Sequence, residues 1–78
     1  MKVLVVEDDD RIAQAIAEAL RDQHYAVEVA GDGILGLNLA EAEQFDVIIL
    51  DLMLPKLDGI SLCRRLRQQG ITTPILML

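Results

Sequence analysis

Four short apolar segments, KVLVV (Lys2–Val6), AVEVA (Ala26–Ala30), VIIL (Val47–Leu50) and PILML (Pro74–Leu78), are separated by stretches in which apolar residues recur every three or four positions. Strand, helix, strand, helix, strand, helix, strand is the order of a parallel α/β sheet, with right-handed crossovers strongly favoured. KVLVV and VIIL do not alternate with polar residues, as suits strands covered on both faces. AVEVA sets Glu28 between Val27 and Val29, which predicts an edge strand with one poorly covered face.

The helical stretches carry their own punctuation. "EDDD" (Glu7 to Asp10) supplies carboxylates for a helix N-terminus, where free N–H groups and the dipole favour negative charge. The helix that follows is expected to bury Ile12, Ile16, Ala19 and Leu20. "GDG" (Gly31 to Gly33) signals a turn, and a second helix is expected from Ile34 to Gln44 with Leu37 and Ala40 on one side and Leu35 and Leu39 beside them. Asp58-Gly59 opens a third helix with an apolar face of Leu62, Cys63 and Leu66. Arg64, Arg65 and Arg67 are left to solvent, and Gly70 ends the helix.

Composition removes several classes of function. With 78 residues there is room for one small domain, and 53% hydrophobic content with 26% charged residues is globular in character. A net charge of −6 argues against a nucleic-acid surface on this segment and favours cations. The single cysteine, Cys63, cannot form an internal disulfide, so a reducing cytoplasm is the expected location. No apolar run reaches the ~20 residues of a spanning helix, so neither a membrane partner nor a signal segment is expected.

The chemistry lies where the acids follow the strands. VIIL runs directly into Asp51, and an unpaired charge at the mouth of a buried strand is unfavourable unless solvent or a partner meets it. Ligands of open parallel sheets bind beyond the carboxyl ends of the strands. If the strand order is 2-1-3-4, the first and third strands are neighbours and Glu7, Asp8 and Asp51 converge there. Taken alone, Asp51 reads more readily as a cap or loop acid. Glu7 and Asp8 at the matching strand end, with Pro55 and Asp58-Gly59 behind, favour the functional reading. Asp9 and Asp10 are assigned to the helix terminus, His24 to a helix end and Cys63 to the core.

"VLVVEDD", the strand ending in "DLMLPKLDG" and "PILML" together resemble the receiver domain of two-component response regulators, over the whole chain. The "MLP...DG" loop is most similar to that of regulators with a winged-helix DNA-binding domain after the receiver. The resemblance implies a flavodoxin-like, doubly wound parallel sheet in the order 2-1-3-4. It implies that Asp51 is the phosphoacceptor, a carboxylate nucleophile that forms an acyl phosphate. Asp8 is then a direct Mg²⁺ ligand, Glu7 acts largely through metal-bound water, and Met53 lends its backbone carbonyl, a donor set suited to Mg²⁺. The implied partners are a sensor histidine kinase and, through a further C-terminal domain, DNA. The implied role is regulation of transcription, with no enzyme activity beyond self-phosphorylation and self-dephosphorylation in an intact domain.

The family also places a Thr or Ser just after the fourth strand and a Lys after the fifth, and both positions lie beyond Leu78. Residues 1–78 are accordingly expected to be an incomplete receiver domain, lacking the fifth strand and last helices. Phosphorylation of this chain is then expected to be slow. The open edge of the fourth strand, from Ile75 to Leu78, is expected to pair with a second copy as a homodimer or larger assembly. Two other functions compete: a phosphotransferase of the haloacid dehalogenase type, which would need a second acid where Met53 stands, and a non-catalytic fragment that works only by pairing through its edge.

Overall fold

The computed structural model describes residues 1–78. Strands β1 (Lys2–Val6), β2 (Ala26–Ala30), β3 (Val47–Leu50) and β4 (Ile75–Met77) alternate with helices α1 (Asp10–Asp22), α2 (Gly33–Ala42) and α3 (Gly59–Gln68). All four strands are parallel, in the order β2-β1-β3-β4. The bounds of β1, β2 and β3 are those read from the sequence. β4 is shorter than PILML by one residue at each end.

Central β1 shows why a run such as KVLVV does not alternate. Leu4 and Val6 enter a core formed with Ala30, Leu37, Ala40, Phe45, Ile48, Leu50, Leu54, Leu62 and Leu66, which joins the sheet to α2 and α3. Val3 and Val5 are just as buried. They point to the opposite face, because successive side chains of a strand do, and α1 covers that face. At the β2 edge Glu28 is exposed while Val27 and Val29 are half-buried.

Helix α1 turns a different face inward from the one expected. Its buried residues are Ala13 and Ala17, with Ile16 and Leu20 half-buried, while Ala19 is exposed and Ile12 is 46% exposed. Residues 13, 16, 17 and 20 form the stripe that a 3.6-residue period brings together. The expected face shares Ile16 and Leu20 with it, and its spacing fits the same period, but the helix is rotated so that Ile12 and Ala19 face outward. In α2, Leu37 and Ala40 are buried as expected, whereas Leu35 is 43% exposed. In α3, Leu62 and Leu66 are buried and Cys63 is half-buried.

Each helix begins on an aspartate. Asp9 accepts from the Arg11 and Ile12 amides, Asp32 from the Leu35 amide at 2.8 Å, and Asp58 from the Ser61 amide at 2.9 Å. These bonds satisfy amides that a helix leaves free at its first turn. They also fix where each crossover starts at the carboxyl end of the sheet.

The corrected face of α1 and the shared core of α3 make a paired prediction. Leu62→Ala is expected to destabilise the fold by about 2–5 kcal/mol through lost burial and a cavity. Ile12→Ala is expected to change stability by no more than about 0.5 kcal/mol. Urea denaturation of both variants checks this, and a comparable loss at Ile12 contradicts the packing described.

Candidate functional site

The parallel register sets the site. Val6 of β1 lies opposite Ala30 of β2 and Leu50 of β3, so the residues that follow these strands leave the sheet side by side. Two further backbone bonds extend the ladder past the strand ends: the Glu7 amide donates to the Ala30 carbonyl at 3.0 Å and the Asp51 amide to the Val6 carbonyl at 3.1 Å. Glu7 and Asp51 are therefore held by the sheet, although both follow the last residue of a strand.

As the sequence predicts, Glu7, Asp8 and Asp51 converge, each offering a carboxylate oxygen within 4.8 Å of the others. Their surroundings differ. Glu7 is buried, Asp51 half-buried and Asp8 exposed, giving a graded mouth from sheet to solvent. Glu7 Oε2 accepts from the Asp9 amide at 3.3 Å, and Asp51 Oδ1 accepts from the Met53 amide at 3.1 Å. No base neutralises the group. The ion pairs of the chain are Lys2 with Glu43, Arg11 with Asp9 and Lys56 with Asp32.

Burial pushes the Glu7 carboxyl above its ordinary value; the Asp9 amide partly offsets this, and the neighbouring Asp51 and Asp8 carboxyls push it up further. Three converging acids without a cation are an unfavourable arrangement that a bound cation would relieve. The donors are hard oxygens, the type that Mg²⁺ and Ca²⁺ take, so the residues present fit a divalent ion. The Met53 carbonyl accepts no backbone hydrogen bond, and Met53 is 84% exposed. Nothing else in the fold occupies this carbonyl.

The segment from Asp51 to Gly59 closes the site from behind. Gly59 is buried, and a Cβ there would stand 2.5 Å from the Asp51 carbonyl oxygen, so only glycine allows the approach. Its amide donates to the Leu52 carbonyl at 3.0 Å. Leu54 reaches back into the core. Sequence reasoning took Asp58-Gly59 as a helix start and missed its contact with the chain beside Asp51. The same dipeptide, Asp32-Gly33, begins α2, and that repetition was the available signal. Both capping carboxyls lie below their ordinary values: Asp32 through the Leu35 amide and then the Lys56 ammonium, and Asp58 through the amide and hydroxyl of Ser61.

An aspartate following β3, two acids following β1 and a 2-1-3-4 parallel sheet define a doubly wound α/β module with an acidic pocket, and comparison with known proteins gives the family. Residues 3–78 match the response regulator receiver domain, and the chain belongs to that family. It is 51% identical over 78 residues to protein RcaC of Microchaete diplosiphon, covering all of this chain and 12% of that protein. It is 49% identical over 77 residues to the alkaline phosphatase synthesis transcriptional regulatory protein PhoP of Bacillus subtilis, covering 99% of this chain and 32% of the relative. The chain thus spans about a third or less of these curated relatives. Among solved structures, the receiver domain of Francisella response regulator 1452 superposes with a TM-score of 0.95 at 45% identity, over 97% of this chain and 63% of that one. The chemotaxis protein CheY4 of Vibrio cholerae gives 0.91 at 41%, over 97% and 65%. Family membership leaves no place for the dehalogenase-type reading, whose second acid Met53 does not provide.

The raised Glu7 pKa has a definite sign. The folded chain holds the Glu7 proton more tightly than the unfolded chain, so the associated stability is fully present below the ordinary glutamate value and is lost as pH rises through the folded one. Asp32 and Asp58 act oppositely, their contribution being lost as pH falls through their depressed values. Glu7→Gln is therefore expected to raise the Tm at pH 7. The gain is expected to shrink toward zero in acid, where the caps affect both proteins alike. Circular-dichroism melts across pH check it, and a gain independent of pH contradicts the assignment.

Proposed function

We propose that the chain is the phosphoacceptor part of a two-component response regulator, accepting a phosphoryl group on Asp51 with Mg²⁺ held by Asp8, Asp51 and the Met53 carbonyl. The observation that carries this reading is the convergence of three unneutralised acids at the carboxyl end of adjacent parallel strands. Asp51 Oδ2 is the nucleophile: it attacks phosphorus in line, the bond from phosphorus to the donor (P–N in a phosphohistidine, P–O in acetyl phosphate) breaks, and the donor leaves with the electron pair. Oδ1 is held by the Met53 amide at 3.1 Å, which leaves its partner oxygen for attack. Glu7, buried behind, would act on the ion's side of the pocket rather than on the phosphoryl group. Mg²⁺ held there would supply positive charge to offset that on the transferring group.

The relatives named as transcriptional regulators support a role in controlling transcription through a further domain, with a sensor histidine kinase as donor. The chain is read as the first part of a receiver domain. Incubation with acetyl phosphate and Mg²⁺ is expected to give a Mg²⁺-dependent, hydroxylamine-sensitive phosphoryl adduct on Asp51, read by mass spectrometry after long exposure. An adduct that persists in Asp51→Ala overturns the assignment.

A second element of this reading is association. β4 pairs with β3 on one side only, and Leu76, Met77 and Leu78 are 57%, 37% and 57% exposed. Apolar residues on an open strand edge favour pairing with another chain, and a second copy is the proposed occupant. Light scattering over a dilution series is expected to show a concentration-dependent dimer that Met77→Lys weakens. A monomer at high concentration contradicts it.

A further inference from the structure

The segment that follows Asp51 is clamped against the start of α2, far away in sequence. The Gly33 amide donates to the Pro55 carbonyl at 3.3 Å, and the Leu57 amide donates to the same oxygen at 2.8 Å. The second bond closes a three-residue turn centred on Lys56, whose φ of 69° places a lysine in the left-handed region. Such γ-turns are rare and strained, so something outside the turn must hold it. Two contacts with α2 do so. A Cβ on Gly33 would stand 1.9 Å from the Leu57 carbonyl oxygen, an approach closed to every other residue. Lys56 Nζ lies 3.6 Å from Asp32 Oδ2, while the other oxygen of Asp32 caps the helix.

We propose that Asp32, Gly33 and Lys56 form a latch between α2 and the β3–α3 loop that positions the Met53 carbonyl for the metal, so that ion binding and latch closure stabilise each other. Met53 lies between two anchors. On one side the sheet holds Asp51, and Gly59 packs against its carbonyl; on the other the turn at Pro55–Leu57 is fixed to α2. With both anchors closed the carbonyl has little freedom to leave the acids. With the α2 anchor open, the segment keeps the buried Leu54, the Gly59 contact and the hydrogen bond from the Met53 amide to Asp51 Oδ1, none of which fixes the turn at Pro55–Leu57. The three residues touch neither ion nor phosphoryl group and are positioning residues.

This inference rests on the metal site proposed above, and coupling is reciprocal: if the latch favours the ion, the ion must favour the latch. The first test therefore uses the unaltered chain. Hydrogen exchange measured by NMR with and without Mg²⁺ is expected to show the Gly33 amide gaining several-fold more protection than the Glu43 amide at the far end of the same helix. The second test is Gly33→Ala, expected to weaken Mg²⁺ binding ~10-fold in a shift titration of the Asp8 and Asp51 amides. Leu37→Ala, which loses core packing in the same helix, is expected to lose stability and keep its Mg²⁺ affinity. Should Gly33→Ala not fold, the exchange measurement on the unaltered chain decides. Mg²⁺ shifts at Asp8 and Asp51 with no selective protection of Gly33 overturn the latch and leave the metal site standing. No response of either acid to Mg²⁺ overturns both.

Discussion

The parallel pairing of β1 with β3 is the interaction on which the rest depends. The ladder carries Val6 opposite Leu50 and continues one step further through the Asp51 amide. Neither strand could hold an acid in place by itself, since a strand end frays unless it is tied down. Pairing gives both acids a backbone frame made of hydrogen bonds, and the frame is anchored by Leu4, Val6, Ile48 and Leu50 beneath it. The core of this small domain therefore also sets the geometry of its chemistry. A side-chain change under the sheet alters the spacing of the carboxylates before it touches any of them.

The site sits at an electrostatic compromise. Glu7 is buried where its charge is disfavoured, and Asp51 and Asp8 add to the strain. Converging acids with perturbed titration are found preferentially at functional sites. The arrangement is tolerable because the acids are graded in exposure and because two amides, of Asp9 and Met53, supply partial positive charge to Glu7 and Asp51. The same amides aim the carboxylates. A divalent ion would then find its oxygen donors already set in place, with little reordering of the chain.

Much of this was legible in the sequence, and the parts that were not share a cause. β1, β2 and β3 are short runs bounded by acids or turns, so local pattern gives their limits. Asp9, Asp32 and Asp58 take helix-starting positions, as local chemistry predicts for acids just before or within a first turn. The buried face of α1 differs from the expected one because residues 12, 16, 19 and 20 satisfy the helical period as well as residues 13, 16, 17 and 20 do: Ala13 and Ala17 are buried, and Ile12 falls outside. Convergence of Glu7, Asp8 and Asp51 followed only once a strand order was supplied. The turn at Lys56 left no trace in composition, since a lysine does not announce a positive φ. Its cause lies in Gly33, across more than twenty residues of chain, where a contact becomes visible only after both have folded.

The two ends of the sheet differ in a way that bears on how such a chain can change in length over evolution. At the carboxyl end Gly33 and Gly59 leave no room for even one added methyl group, and every residue from Asp51 to Gly59 lies between fixed anchors. At the amino end, the loops entering β3 and β4 border an open polar cleft of about 590 Å³ lined by residues such as Glu43, Asp46, Gly70 and Thr72. Insertions and deletions among homologues should therefore gather at Glu43–Asp46 and Gly70–Thr73, where extra residues can spread into solvent. The stretch from Asp51 to Gly59 should keep a constant residue count, even where its side chains vary.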